Sequence, residues 1–148
     1  YPDRATERDI LIATTGVEDA AVHQVFSAGE LLAAQTVLRR MPVGEKVVEA
    51  ILDLVRACRP GEPEGRDLAD VLSWGPGPRA AQALMLTCRA KALLDGRLAP
   101  SADDVMALAR PVLTHRMALN FAARARGESL PAIIDRVAQS VTRSQAAA

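Results

Sequence analysis

Aromatic side chains are nearly absent from this 148-residue chain: one Trp, one Tyr and two Phe make up 3% of it, although hydrophobic residues make up 49%. The apolar half is therefore mostly Ala, Leu and Val, a composition that favours closely packed helices over sheets. Charge of one sign is also lacking, with 18 Lys plus Arg against 18 Asp plus Glu. No overall field draws the chain to nucleic acid or to an anionic membrane, so any charge-based function has to be local. No run approaches the roughly 18 apolar residues of a membrane span, and the opening "YPDRATERD" has neither region of a signal peptide. Only two cysteines, Cys58 and Cys88, are present; they stand in apolar helical stretches without ligand-like spacing and read as reduced core thiols. The expectation is a soluble, cytoplasmic protein. The two histidines, His23 and His115, have no acidic or cysteine cluster around them to form a metal site. No nucleophile setting for Ser/His/Asp catalysis is found.

The length suits one domain over 1–148. Asp3 or Thr6 can cap a short first helix carrying Ile10, Leu11 and Ala13, which ends near Thr15 and Gly16. A loop-like stretch to about Ser27 follows, and residues 1–26 read as a connecting segment. Ser27 stands three residues before Glu30, a capping-box spacing, and opens a helix with Leu31, Ala34, Leu38 and Met41 at helical intervals. Pro42 closes it. Between Gly44 and Cys58 the residues Val47, Ile51, Leu54, Val55 and Cys58 mark one face of an amphipathic helix. "RPGEPEGRD", Arg59 to Asp67, is rich in Pro, Gly and charge and predicts an exposed loop.

After Pro78, Ala83, Leu86, Ala90, Leu93 and Leu94 trace a helix of about 17 residues, roughly 25 Å long. Leu84, Met85 and Ala92 widen its apolar face, and Asp95 and Gly96 stop it. Ser101 caps a further helix with Asp103 and Asp104 in its first turn and Val105, Leu108, Val112 and Leu113 toward the core; Pro111 is expected to kink or divide it. Met117 to Phe121 is the one segment open to a strand reading. A last helix from Ser129 buries Leu130, Ile133, Ile134 and Val137 before a flexible tail over 142–148. The sum is an all-α bundle of about five or six helices with one long central helix.

The sharpest local signal is "SWGPGPRAAQALM", Ser73 to Met85. Gly75-x-Gly77-x-x-Ala80 formally matches the dinucleotide fingerprint, and Asp95 follows at the expected interval. That fingerprint works through backbone N–H groups turned to a pyrophosphate, whereas Pro76 and Pro78 each remove a donor, and no βαβ pattern surrounds them. The residues specify a helix start instead: Gly77 takes the N-cap and Pro78 the first helical position, where its missing N–H is no loss. Arg79 then falls in the first turn, where the helix dipole disfavours a cation by about 0.3 to 1 kcal/mol. A nearby anion reverses that sign, and phosphate matches free N–H groups plus a guanidinium fork. A solvated surface arginine satisfies the same sequence; spacing alone leaves both open.

"WGPGPRAAQALML" followed by "ALLDGRLAPSADDVMALARPVLTHRM" resembles the C-terminal lid of the MoxR family of AAA+ ATPases. In that family a glycine-led turn ending in Pro-Arg-Ala opens the helix that carries the sensor 2 arginine; here those residues are Pro78, Arg79 and Ala80, after Gly77. "VFSAGELLAAQTVLRRMPVGEKVVEAILDLVRACRP" is similar to the earlier lid helices, and "YPDRATERDIL" resembles the segment leaving the ATPase core. The resemblance implies a fragment of a longer polypeptide, consistent with a first residue Tyr1 rather than Met. It implies ATP as cofactor, with magnesium held mainly by a large ATPase subdomain preceding Tyr1, and Gly77, Pro78, Arg79 and Ala80 as the nucleotide-facing residues. It further implies a homo-oligomeric, commonly hexameric ring, a chaperone-like role and a von Willebrand factor A-domain partner, with neither nucleic acid nor membrane as partners. No G-x-x-x-x-G-K-[ST] loop occurs in the chain, "VGEKV" around Lys46 being a superficial echo. No strand ending in paired acids and no arginine-finger context is found, so the fragment alone is expected not to hydrolyse ATP.

Two readings from other classes compete. The pairs Arg39 with Arg40 and Arg124 with Arg126 invite a helix-turn-helix DNA-binding module, against which stand the zero net charge and the scatter of these arginines over several helices. The other is a helical docking module that uses no nucleotide.

Overall fold

The structure, a computed structural model, describes residues 1–16 and 23–146. Part of the loop expected between Gly16 and Ser27 thus lies outside the described residues. The chain forms two compact units, Tyr1–Leu32 and Ala33–Ala148.

The first unit holds α1 (Arg4–Thr15) and the opening turns of α2 (Ala28–Arg40). Asp3 is the α1 cap, its carboxylate accepting from the Thr6 amide at 2.8 Å. The Ser27 capping box forms as the spacing predicts: the Ser27 amide donates to Glu30 Oε2 at 2.7 Å and the Glu30 amide to Ser27 Oγ at 3.2 Å. Neither helix buries a residue.

The second unit contains the core. After the end of α2 come α3 (Glu45–Ala57), a 3₁₀ turn (Pro63–Leu68), strand β1 (Leu72–Trp74), α4 (Pro78–Leu94), α5 (Ala102–Leu113), a second 3₁₀ turn (Thr114–Arg116), strand β2 (Ala118–Leu119), α6 (Phe121–Ala125) and α7 (Leu130–Ala146). Helices α3, α4, α5 and α7 pack around one cluster. Leu54, Leu84, Leu113 and Ile134 are its largest wholly enclosed aliphatic side chains, each stabilising the fold by about 1.5 to 3 kcal/mol. Among the described residues seven α-helices are present, more than the periodicity reveals, because α6 has only five residues and carries no period to detect. The tail expected from residue 142 is helical through Ala146, making α7 as long as α4 at 17 residues. Pro111 does not divide α5, which continues to Leu113 before tightening into 3₁₀ geometry.

Helix α4 departs from expectation in its phase. Its buried residues are Ala80, Leu84, Cys88 and Ala92, one every fourth position, whereas Leu93 and Leu94 are exposed. Apolar residues surround this helix on all sides, so hydrophobicity alone selects no face; three of the four buried residues are small and let neighbouring helices approach closely. Burial pushes the Cys88 thiol up to about 11 and the Cys58 thiol up to about 12, as befits inert core sulfurs.

Both ends of α4 are fixed by specific contacts. At its start, a Cβ on Gly75 would lie 2.4 Å from the Cys58 carbonyl oxygen and 2.9 Å from Arg59 Cα, so only glycine lets the turn press against the end of α3. Arg59 Nε donates to the Pro76 carbonyl at 2.8 Å, and Pro76 is fully buried. The expected exposed loop 59–67 is in part structural: a Cβ on Gly65 would meet the Arg59 carbonyl at 2.0 Å, and Arg56 bridges Glu62 and Glu64 at 3.0 Å each. At the far end Gly96 adopts φ +72°, the left-handed turn that favours glycine, and the Arg97 amide returns to the Ala92 carbonyl at 2.8 Å. Arg97 then grips Asp104 with two hydrogen bonds of 2.8 Å. Asp104 is buried and also accepts from the Ser101 amide at 2.8 Å. Arg97 and these donors hold its carboxyl down at about 2.

The short β1–β2 ribbon pairs Leu72 with Leu119 and Trp74 with Ala118 in antiparallel register, confirming a strand within Met117–Phe121. Asn120 extends the pairing by donating from its amide to the Val71 carbonyl at 2.9 Å, and its side chain caps α6 at the Ala123 amide at 2.8 Å.

Two outcomes follow for stability. Gly75→Ala should cost about 1 to 3 kcal/mol through backbone overpacking, while Gly61→Ala, whose Cβ meets nothing within 4 Å, should stay within about 0.5 kcal/mol; urea midpoints compare the two. Asp104→Asn should cost about 2 to 3 kcal/mol at pH 7. The folded carboxyl titrates near 2, below the roughly 3.9 of an unfolded Asp, so its stabilisation is complete above about pH 4 and is lost as pH falls through 2. The gap between wild type and variant should therefore close in acid, and a gap of equal size at pH 7 and pH 2 contradicts the assignment.

Candidate functional site: a cationic groove at the start of α4

With the Gly75–Pro76 turn held against α3, the chain enters α4 at the surface. Gly77 is the N-cap in extended geometry and offers no side chain to the first turn; Pro78 takes the first helical position. The Ala80 amide is satisfied by the Gly77 carbonyl at 2.9 Å. Gly77, Pro78 and Arg79 are exposed, whereas Ala80 is buried in the core and anchors the turn from beneath. Three of the four residues expected at the site thus face solvent, and the fourth positions them. Among the described residues, Arg79 has no hydrogen bond or ion pair with another side chain.

The helix start forms one side of an open groove of about 550 Å³. Trp74, Gly77, Pro78 and Arg79 line it from β1 and α4, and His115 and Arg116 line it from the 3₁₀ turn after α5. The ribbon contributes to this meeting: β2 follows Arg116 after one residue, Met117, and pairs with β1, which leads into the glycine-proline turn. Buried Met117 fixes the join. Arg116 is half-buried, and its Nη1 donates to the Val112 carbonyl at 2.6 Å while also contacting His115 Nε2.

Among the described residues no carboxylate lines the groove. Two guanidinium groups therefore flank the positive end of a 17-residue helix, where the dipole contributes about half an elementary charge. Such a place attracts an anion. Its donor set is wrong for a cation, and among the described residues no group of three His, Cys, Asp or Glu could hold a metal ion. By contrast, a groove of similar size beside α7 is lined by Glu64, Asp67 and Glu128 with a single arginine, Arg136, and repels anions.

Periodicity and motif spacing leave Trp74, His115 and Arg116 out of the site. The available signal is the adjacency of "THR" to a candidate strand, which has value only once that strand is paired with Leu72–Trp74. Of the basic pairs, Arg124 and Arg126 belong to or follow α6, whose five residues are too few for a recognition helix, and Arg126 is bridged to Glu128 at 2.7 Å. Arg39 and Arg40 close α2, where cations suit the helix dipole.

Comparison with known proteins converges on this region. Residues 68–137 match the AAA lid domain family, a span that begins before β1 and contains the whole groove. Chaperone MoxR1 of Mycobacterium tuberculosis is 34% identical over 148 residues, covering 98% of this chain and 38% of that protein. Protein MoxR of Paracoccus denitrificans is 44% identical over 73 residues, covering 49% of this chain and 22% of the relative. A crystallised protein from Cytophaga hutchinsonii, inferred to be an ATPase, superposes with a TM-score of 0.82 at 25% identity, covering 94% of this chain and 43% of its own. The chain thus spans less than half the length of each of these proteins. Together with the glycine-proline helix start and the helical core, these likenesses show that the chain belongs to the lid domains of the MoxR family of AAA+ ATPases.

Proposed function

We propose that this domain is the nucleotide-sensing lid of an ATP-hydrolysing ring, and that Arg79 acts as its sensor 2 residue. The observation that carries the reading is the exposed Arg79 guanidinium, without an ionic partner, beside an uncapped helix start in a groove free of carboxylates. An ATPase subdomain of the same polypeptide would hold the nucleotide and most of the magnesium coordination, since the groove supplies donors for phosphate oxygens and none for a metal. Arg79 would reach the terminal phosphate with charge-assisted hydrogen bonds worth about 1.5 to 3 kcal/mol. A phosphate present before hydrolysis and absent after it gives two lid positions different free energies, which is what a coupled conformational change requires. The name Chaperone MoxR1 supports a chaperone-like role; a homo-oligomeric ring and a von Willebrand factor A-domain partner are what the family resemblance implies.

A second reading, docking without nucleotide, draws on the apolar groove of about 570 Å³ between α3 and α4, lined by Val48, Ile51, Leu52, Met85 and Leu86. The two separate at Arg79. In the full-length polypeptide, Arg79→Ala should lower ATP turnover by about tenfold or more, loosen the dependence of lid position on nucleotide, and leave folding stability within about 0.5 kcal/mol because the residue is exposed. Steady-state hydrolysis and nucleotide titration test this; turnover and affinity equal to wild type would refute the sensor role and favour docking.

A further inference from the structure

We propose that Arg116 is a second phosphate-contacting residue of this groove, placed there by the β1–β2 ribbon and acting together with Arg79. The proposal rests on the nucleotide reading of the groove and adds a residue that no helix-start motif contains.

Among the partly buried arginines of the second unit, Arg56, Arg59 and Arg97 face carboxylates: Glu62 and Glu64, Glu62, and Asp95 and Asp104 respectively. Arg89 donates to the Arg39 carbonyl at 3.3 Å and does not line the groove. Arg116 is half-buried and faces none among the described residues. Its neighbours are a carbonyl, Val112 O, and the imidazole of His115. A guanidinium carries five N–H donors; both of those contacts fall on Nη1, and among the described residues no hydrogen bond engages Nε or Nη2. The head group is thus held by one edge and open along the other. Holding a partly desolvated cation without a counter-charge is unfavourable, and the groove it lines supplies no acid.

Placement makes the case specific. The 3₁₀ turn Thr114–Arg116 runs directly into buried Met117 and β2, and the pairing of Leu119 with Leu72 and Ala118 with Trp74 locks it beside the strand that leads into Gly77 and Pro78. Arg116 and Arg79 therefore line one groove from two elements far apart in sequence. A terminal phosphate has enough oxygens to engage two such forks, one from each element. Arg116 is also tied to the last turn of α5 through Val112, so its engagement would register nucleotide state on α5 as well as α4.

The test uses the full-length polypeptide with Arg116→Gln, Arg116→Lys and Arg79→Ala, and reads dissociation constants for ATP and for ADP alongside KM and kcat. Glutamine keeps an amide donor for the Val112 carbonyl while removing the charge. Arg116→Gln is expected to weaken ATP by about tenfold and ADP by less than about threefold, with Arg116→Lys intermediate and thermal midpoints unchanged. If Arg79→Ala weakens ATP while Arg116→Gln alters neither nucleotide, the Arg116 proposal falls and the sensor reading stands; if neither variant has an effect, both fall. Equal weakening of ATP and ADP, or a lowered thermal midpoint with unchanged affinities, marks a structural role and overturns the proposal. Should the glutamine variant not fold, an Arg116→Lys variant with wild-type ATP affinity overturns it equally.

Discussion

Backbone pressed on backbone at Gly75 is the constraint from which the candidate functional surface derives. The turn can close on Cys58 and Arg59 only because no Cβ intervenes, and Arg59 completes the contact by donating to the Pro76 carbonyl at 2.8 Å. A close approach of this kind has no adjustable side chain in it, so the position of the next residues follows from that of α3. Gly77, Pro78 and Arg79 are the next residues. The exposed arginine is therefore mobile in its own rotamers yet rigidly based, which is how a long cationic side chain can find a small anion reproducibly.

The opposite end of α4 is pinned by a different physics. Gly96 turns the chain back and delivers Arg97 to the buried Asp104, which Ser101 also engages. A buried ion pair is weak evidence for net stability, because desolvation offsets much of the attraction; its two forked bonds are better read as fixing the register between α4 and α5. With backbone contact at one end, a bidentate pair at the other and a strip of small residues between them, α4 behaves as a strut. A strut suits a domain whose proposed task is to turn a local phosphate contact into movement of the whole body.

How much of this was legible in the sequence depends on whether the signal was local. The Ser27 and Ser101 helix starts, the glycine-proline opening of α4 and its stop at Asp95 and Gly96 are written in adjacent residues and form as expected. The face of α4 was not legible: an Ala- and Leu-rich helix is apolar all round, and tertiary packing chose Ala80, Leu84, Cys88 and Ala92. The 3₁₀ turn at Pro63–Leu68 was hidden for a related reason. Pro, Gly and charge read as a solvated loop until Gly65 is seen against Arg59 and the two glutamates against Arg56. Arg79 was visible because it belongs to a motif. Arg116 was not, since tertiary contacts carry it to the same groove, among them the pairing of two very short strands, too brief for a period-2 pattern.

The energetics of that groove favour a contact that forms and releases. A cation in the first turn of a helix costs about 0.3 to 1 kcal/mol, a penalty small enough for the free domain to tolerate. An anion brought against it converts the penalty into a gain of about 1.5 to 3 kcal/mol for each charge-assisted bond, so the difference between occupied and empty states lies in the range typical of allosteric coupling. Pairing Arg79 with a carboxylate of its own chain would have removed the penalty and with it most of the difference. Among the described residues no acid lines the groove, in a chain whose charges balance and whose other partly buried arginines largely face carboxylates, so Arg79 keeps the full difference that the proposed phosphate contact would draw on.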